Sequence, residues 1–182
     1  MAQNGFYIDM NRCSSCRVCV IACKDVNNLK VGYNFRHVND YEGGVFPKMW
    51  AASLSLACNH CEEPFCMGIC PVEAISKDKD TGLVVINTDV CIGCGDCLDA
   101  CPYNAPVYFP EWNIVNKCHG CHNLVAAGEK PACVAACSTR CLDFGDLEDL
   151  KAKYGANLVN TIPELPDPVT GPSLLIKPKK RI

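Results

Sequence analysis

The sequence has no uncharged apolar run near the roughly 20 residues that a membrane-spanning helix needs. Its longest candidate, residues 49–59, stops far short. The start, MAQNGFYIDMNRC, has no basic segment leading into an apolar stretch, so no secretory signal of its own is expected. A basic surplus is missing too: 17 Lys and Arg against 20 Asp and Glu give a formal net charge of −3. A nucleic-acid partner, which selects a basic face, is therefore not expected. No phosphate-cradling glycine loop occurs, and no nucleophile–base arrangement with supporting context. Ordinary core is also short. Hydrophobic residues make up 49% of the chain, but that figure counts cysteine. Without it about 40% remains, below the usual share for a globular chain of this length.

What the sequence has instead is 17 cysteines in 182 residues. About 9% cysteine is the composition of a cysteine-built scaffold. Sixteen fall into four groups of four. Cys13, Cys16, Cys19 and Cys23 are spaced x2, x2, x3. Cys58, Cys61, Cys66 and Cys70 are spaced x2, x4, x3, with Pro71 next. Cys91, Cys94, Cys97 and Cys101 repeat x2, x2, x3, followed by Pro102. Cys118, Cys121, Cys133 and Cys137 are spaced x2, x11, x3, and Cys141 is left over. The run C-x2-C-x2-C-x3-C-P binds [4Fe–4S] clusters in bacterial ferredoxins, where the fourth cysteine serves the other cluster of a pair. Three thiolates two residues apart line a loop around one face of a cubane. The fourth is expected to turn onto the start of a helix and point elsewhere, with proline fitting the early helical position. The groups are therefore expected to be shared in pairs.

Other cysteine chemistry fits less well. Structural zinc uses paired C-x2-C knuckles but does not call for a third cysteine at x2 and a fourth at x3 before proline. A disulfide framework suits a shorter secreted chain with an even cysteine count. Cys118-His119-Gly120-Cys121-His122 reads as a c-type haem attachment pattern, yet that use would strand Cys133 and Cys137.

Along the chain, residues 5–9 (GFYID) read as a strand entering the first cysteine loop. Residues 34–56 read as a hairpin turning at Glu42-Gly43-Gly44. Residues 74–76 and 83–87 read as the arms of a second hairpin around the charged turn 77–82. Segments 58–75 and 91–107 form an internal repeat of cysteine loop, short helix and apolar stretch. The expected fold is α+β: two nested bacterial-ferredoxin-like modules with short hairpins and helices, plus an extended C-terminal arm. One module, 1–57 with 108–155, is split around the inserted module 58–107. Residues 146–154 (DLEDLKAKY) have acidic residues early, lysines late and Gly155 as a stop, the marks of a helix. The arm, 156–182, is rich in proline and closes on Lys177, Lys179, Lys180 and Arg181. Without cysteine it is expected outside the core, either as a tail or laid over a partner subunit.

The segments GFYIDMNRCSSCRVCVIACKD, CNHCEEPFCMGICPVEAI, CIGCGDCLDACPYNAP, KCHGC, CVAAC and LDFGDL together resemble one kind of protein. It is the four-cluster iron–sulfur electron-transfer subunit of molybdopterin oxidoreductases, of the type found as the B subunit of dimethyl sulfoxide reductase. The resemblance implies four ligand sets: Cys13, Cys16, Cys19 and Cys137; Cys118, Cys121, Cys133 and Cys23; Cys58, Cys61, Cys66 and Cys101; and Cys91, Cys94, Cys97 and Cys70. It implies a wire whose Cys13 end faces a large molybdopterin subunit, while the Cys91 end faces a membrane anchor or another redox partner such as a soluble carrier. Some relatives hold a three-iron cluster where tryptophan replaces a third-group cysteine. Here Cys94 and Cys97 are both present, so four cubanes are expected, taking the loaded protein to a charge of about −11. Ser138 stands where proline often follows the fourth group, and Cys141 where cysteine is unusual.

On this reading the chain is a non-catalytic electron carrier. Its location is the cytoplasm, or outside it by export as a folded complex on the partner's signal. The alternatives are a polyferredoxin-type subunit of a hydrogenase or formate dehydrogenase complex, a free-standing polyferredoxin, and a zinc-stapled binding module. Cys141 is expected to be a small buried residue. His60, His119 and His122 are expected to shape the sulfur environment rather than bind metal. Lys24, Lys117 and Arg140 flank ligands and would offset cluster charge. Trp50 and Trp112 are read as packing or interface residues.

Overall fold

The computed structural model describes residues 2–179. At its centre strand β1 (Asn4–Asp9) lies between β8 (Leu142–Asp146), antiparallel to it, and β9 (Leu174–Lys177), parallel. β1 is buried from Gly5 to Asp9, as a strand covered on both faces must be. Phe6 and Ile8 enter the main core, and Tyr7 packs on the other side with Leu150 and Leu175. Three antiparallel hairpins surround this sheet: β2 (His37–Val45) with β3 (Lys48–Leu56), β4 (Ile75–Lys77) with β5 (Val84–Ile86), and β6 (Val107–Phe109) with β7 (Ile114–Asn116). The helices are short: α1 (Val18–Val26), α2 (Phe65–Gly68), α3 (Asp96–Asp99), α4 (His122–Ala126), α5 (Ala132–Ala135) and α6 (Leu147–Tyr154). Small sheets with few helices make this an α+β fold. The main core includes Cys19, Cys23, Cys58, Cys118, Cys133, Cys137 and Cys141, so sulfur occupies positions that aliphatic side chains fill elsewhere.

Several expectations from sequence hold locally. GFYID forms β1, the second hairpin spans the expected arms, and α6 begins where Asp146 accepts a hydrogen bond from the Glu148 N–H at 2.9 Å. Three are corrected. The first hairpin turns at Phe46-Pro47, because Gly43 and Gly44 lie within β2 and pair with Trp50 and Met49. A Cβ on Gly43 would stand 2.9 Å from the Trp50 ring, so glycine serves a close cross-strand contact there and not the turn. The helix after each loop starts at the third cysteine, not the fourth: Cys19, Cys66, Cys97 and Cys133 are each the second residue of a helix. Finally, the proline-rich arm returns to the core. Leu174, Leu175 and Ile176 are buried against β1, and Ile162 is buried as well. Lys180 and Arg181 lie outside the described residues. The β6–β7 hairpin was not among the expected elements.

Candidate metal centres

The loops share a backbone device. The second residue after each opening cysteine is left-handed: Ser15, His60, Gly93 and Gly120, with φ of 56, 44, 69 and 68°. Such alternation turns successive N–H groups toward one point, the concave nest that recurs at Fe–S sites. The His60 and Gly120 N–H groups accordingly donate to the Cys58 and Cys118 sulfurs, each at 3.5 Å. A second device follows the last cysteine of three groups. Glu73, Asn104 and Arg140 have φ of 51, 51 and 53°. The next residue's N–H then turns back: Ala74 donates to Cys70 Sγ at 3.3 Å and Ala105 to Cys101 Sγ at 3.5 Å. Cys141 stands in the matching place after Cys137 and hydrogen-bonds it through its backbone. It thus replaces the small alanine of the repeat.

Third and fourth cysteines are four residues apart: Cys23 lies within α1 with Cys19, whereas Cys70, Cys101 and Cys137 lie just past the ends of α2, α3 and α5. α1 packs on α5, and α2 on α3. The sixteen grouped cysteines gather in four sets. One cavity is lined by Cys58, Cys61, Cys66 and Cys101. A second is lined by Cys70, Cys91, Cys94 and Cys97. A third is lined by Cys13, Cys16, Cys19 and Cys137, with Cys141 beside them, its sulfur 3.4 Å from that of Cys137. Cys23, Cys118, Cys121 and Cys133 are all buried and lie within electrostatic range of one another. Cys19 is similarly near Cys133, and Cys118 near Cys58, so the sets follow one another in space. Of the cysteines only Cys16 and Cys94 are exposed, one in each terminal set.

Side chains that spacing did not flag complete the surroundings. Thr170, on the arm, donates from its hydroxyl to Cys61 Sγ at 3.1 Å. Ser55 Oγ is 3.3 Å from Cys19 Sγ. Val115 N–H donates to Cys91 Sγ at 3.4 Å. Arg36 is fully buried near Cys133, Cys118, Cys19 and Cys23, and its Nε and Nη2 have no hydrogen-bond partner among the described residues. An arginine between Phe35 and His37 carries no motif that would have found it. Lys117 is buried and donates to the carbonyls of Val84 and Cys118, lining the Cys58 cavity. His60 is buried, and desolvation holds its pKa well below the usual histidine value, so it is neutral. Its Nδ1 accepts from the Val84 N–H at 3.1 Å. His119 bonds Asn27 and His122 instead of a sulfur. Burial pushes the thiols of Cys23 and Cys66 up to about 12 and that of Cys97 to about 11. A hydrogen bond from Cys141 draws the Cys13 thiol below its usual value.

These surroundings fit anionic sulfur clusters. Buried thiols with raised pKa values ionise when a metal is the partner, and soft thiolate sets select Fe–S centres, zinc or Cu(I). No disulfide joins the cysteines. The orphaned Arg36 needs negative charge beside it, which clusters supply.

Comparison with known proteins agrees. A 4Fe-4S dicluster domain family matches residues 50–147, and a 4Fe-4S binding domain family matches residues 10–32. The B subunit of the anaerobic dimethyl sulfoxide reductase of Haemophilus influenzae is 41% identical over 189 residues, covering 99% of this chain and 91% of the relative. Its counterpart in Escherichia coli K12 is 42% identical over 184 residues, covering 97% and 89%. Protein NrfC of Escherichia coli K12 is 35% identical over 147 residues, covering 80% and 66%. The protein belongs to the dimethyl sulfoxide reductase B-subunit family of iron–sulfur electron-transfer proteins, and its cofactors are [4Fe–4S] clusters.

Proposed function

We propose that this chain conducts single electrons between a large molybdopterin catalytic subunit and a membrane anchor or soluble carrier, transforming no substrate itself. Four clusters are held by Cys13, Cys16, Cys19 and Cys137; by Cys23, Cys118, Cys121 and Cys133; by Cys58, Cys61, Cys66 and Cys101; and by Cys70, Cys91, Cys94 and Cys97. The observation that carries this reading is the gathering of sixteen cysteines into four successive sets. When bound, the clusters supply outer-sphere one-electron transfer. The chain's residues hold them in line, donate N–H and O–H groups to their sulfurs and exclude water from the inner sets. The exposed Cys16 and Cys94 mark the two ends where electrons enter and leave. Residues 1–57 with 108–155 form one module around the inserted module 58–107, a division supported by the α1–α5 and α2–α3 packing. Residues 156–182 are the arm. Among the described residues no helix is long and apolar enough to cross a membrane, and on this reading the anchor is a separate subunit. The chain resides with its partner, in the cytoplasm or exported folded alongside it.

The test is anaerobic purification of the intact complex. The expected result is roughly 16 iron and 16 inorganic sulfide per chain, from four cubanes, with a large molybdopterin-containing subunit co-purifying. About eight iron would overturn the four-cluster count. Full iron without a large partner would favour the free-standing carrier.

A further inference from the structure

Arg36 is 1% exposed, and no acidic side chain is ion-paired with it among the described residues. A guanidinium cannot lose its proton to escape such burial. Its ring-face contact with Phe6, 4.4 Å from the centroid, orients it but leaves Nε and Nη2 unpartnered. The sulfurs close enough to interact with its charge come from two sets, Cys19 of the first and Cys23, Cys118 and Cys133 of the second, and they become anionic when they ligate a cluster. The remaining nitrogen, Nη1, donates to the carbonyl and the hydroxyl of Ser55, both at 3.1 Å. Ser55 is 0% exposed, and its Oγ lies 3.3 Å from Cys19 Sγ. A metal-bound thiolate can only accept, and a serine hydroxyl has one proton to give. With Arg36 occupying a lone pair of Ser55, that proton points to Cys19.

We propose that Arg36 and Ser55 form a relay that sets the reduction potentials of the first two clusters. Ser55, held by Arg36, hydrogen-bonds the Cys19 thiolate, while the open edge of the guanidinium is the counter-charge between the Cys13 and Cys118 sets. The inference rests on the cluster reading above. Hydrogen bonds to sulfur and local positive charge both favour the reduced, more negative cluster, so both raise its potential. The two residues have separable reach. Ser55 acts on the first set alone, whereas Arg36 acts on the first through Ser55 and on the second directly. Both are positioning residues, since neither binds iron.

The experiment is an EPR-monitored redox titration of the anaerobic complex carrying Ser55→Ala, Arg36→Lys or Arg36→Met. The first-set signal is identified by its alteration in Cys16→Ser. Ser55→Ala is expected to shift the first cluster's reduction equilibrium about tenfold toward oxidation, ~59 mV for one electron, with the other three unmoved. Arg36→Met is expected to lower the first two midpoints together, and Arg36→Lys, which keeps the charge without the fork, to restore the second. Unchanged midpoints in a protein with full iron would overturn the relay, as would an equal shift of all four. Wild-type iron far from about 16 would instead overturn the cluster reading. If Arg36→Met fails to assemble, Ser55→Ala and Arg36→Lys decide the question.

Discussion

Asp143 shows how the chain handles a buried charge away from the sulfurs. Its carboxylate, with 6% side-chain exposure, accepts from Lys153 Nζ and Tyr154 Oη at 2.7 Å each and from Lys130 Nζ at 3.0 Å. Burial alone would raise its pKa, but these three donors outweigh it and hold the carboxyl well below the usual range. A depressed folded value means stability that is fully present above the unfolded pKa, about 3.9, and is lost as pH falls through the folded one. Asp143→Asn should therefore cost about 1–2 kcal/mol at neutral pH, the lower part of the range because both lysines are more than half exposed. That is roughly 2–8 °C in apparent unfolding temperature. The gap from wild type should stay constant between pH 8 and pH 5 and narrow below about pH 4. A gap that closed already between pH 8 and 5 would contradict the assignment. Asp143 was invisible in the sequence because its partners lie 10 to 13 residues away with no periodic relation to it. The cysteines were legible for the opposite reason. Their ligand geometry is written into spacings of two and three residues, whereas Arg36, Ser55 and Thr170 meet the sulfurs only through tertiary packing.

Among the elements, the β2–β3 hairpin separates what a local pattern can tell from what it cannot. Its two arms were legible as alternating segments, but its turn was not. Gly43-Gly44 has the composition of a turn because glycine tolerates positive φ, and Gly44 does adopt φ +88°. It does so within the strand, where a Cβ would stand 2.1 Å from the Lys48 carbonyl oxygen, a fixed backbone atom. At Gly43 the obstacle is the Trp50 ring, a side chain and not backbone. Gly44→Ala should thus be the costlier change, about 2 kcal/mol or more from left-handed strain and overpacking together, against about 1 kcal/mol for Gly43→Ala. Thermal unfolding of the two variants side by side checks the order. Equal losses would return both glycines to a simple turn role. The same limit explains the helices. The x3 step was read as a turn onto a helix, but only the structure shows the helix opening at the third cysteine. The fourth cysteine then falls inside the helix only in α1, and just past the end of α2, α3 and α5.

For the whole molecule, the proposed sharing of ligands would tie the chain into one body. On the proposed assignment Cys23 leaves the first loop to join Cys118, Cys121 and Cys133, while Cys137 of the fourth group lines the cavity of Cys13, Cys16 and Cys19. Cys70 and Cys101 exchange between the second and third loops in the same way. The arm adds a third tie: β9 completes the central sheet, and Thr170 reaches Cys61. Its proline content had suggested a segment outside the core, because composition does not reveal that Leu174, Leu175 and Ile176 lie parallel to β1. Exchange makes a prediction that ligands confined to their own group would not. Cys23→Ala should remove the cluster of the Cys118 group, and Cys70→Ala that of the Cys91 group, each lowering iron by about four per chain, or by about one if a three-iron cluster survives. The signal of the Cys13 group should persist in Cys23→Ala, and that of the Cys58 group in Cys70→Ala. Iron analysis with EPR of the reduced and oxidised proteins reads both quantities. If Cys23→Ala extinguished the Cys13-group signal and spared the Cys118 group, each loop would be holding its own cluster, and the wire would be four separate beads instead of two interlocked pairs.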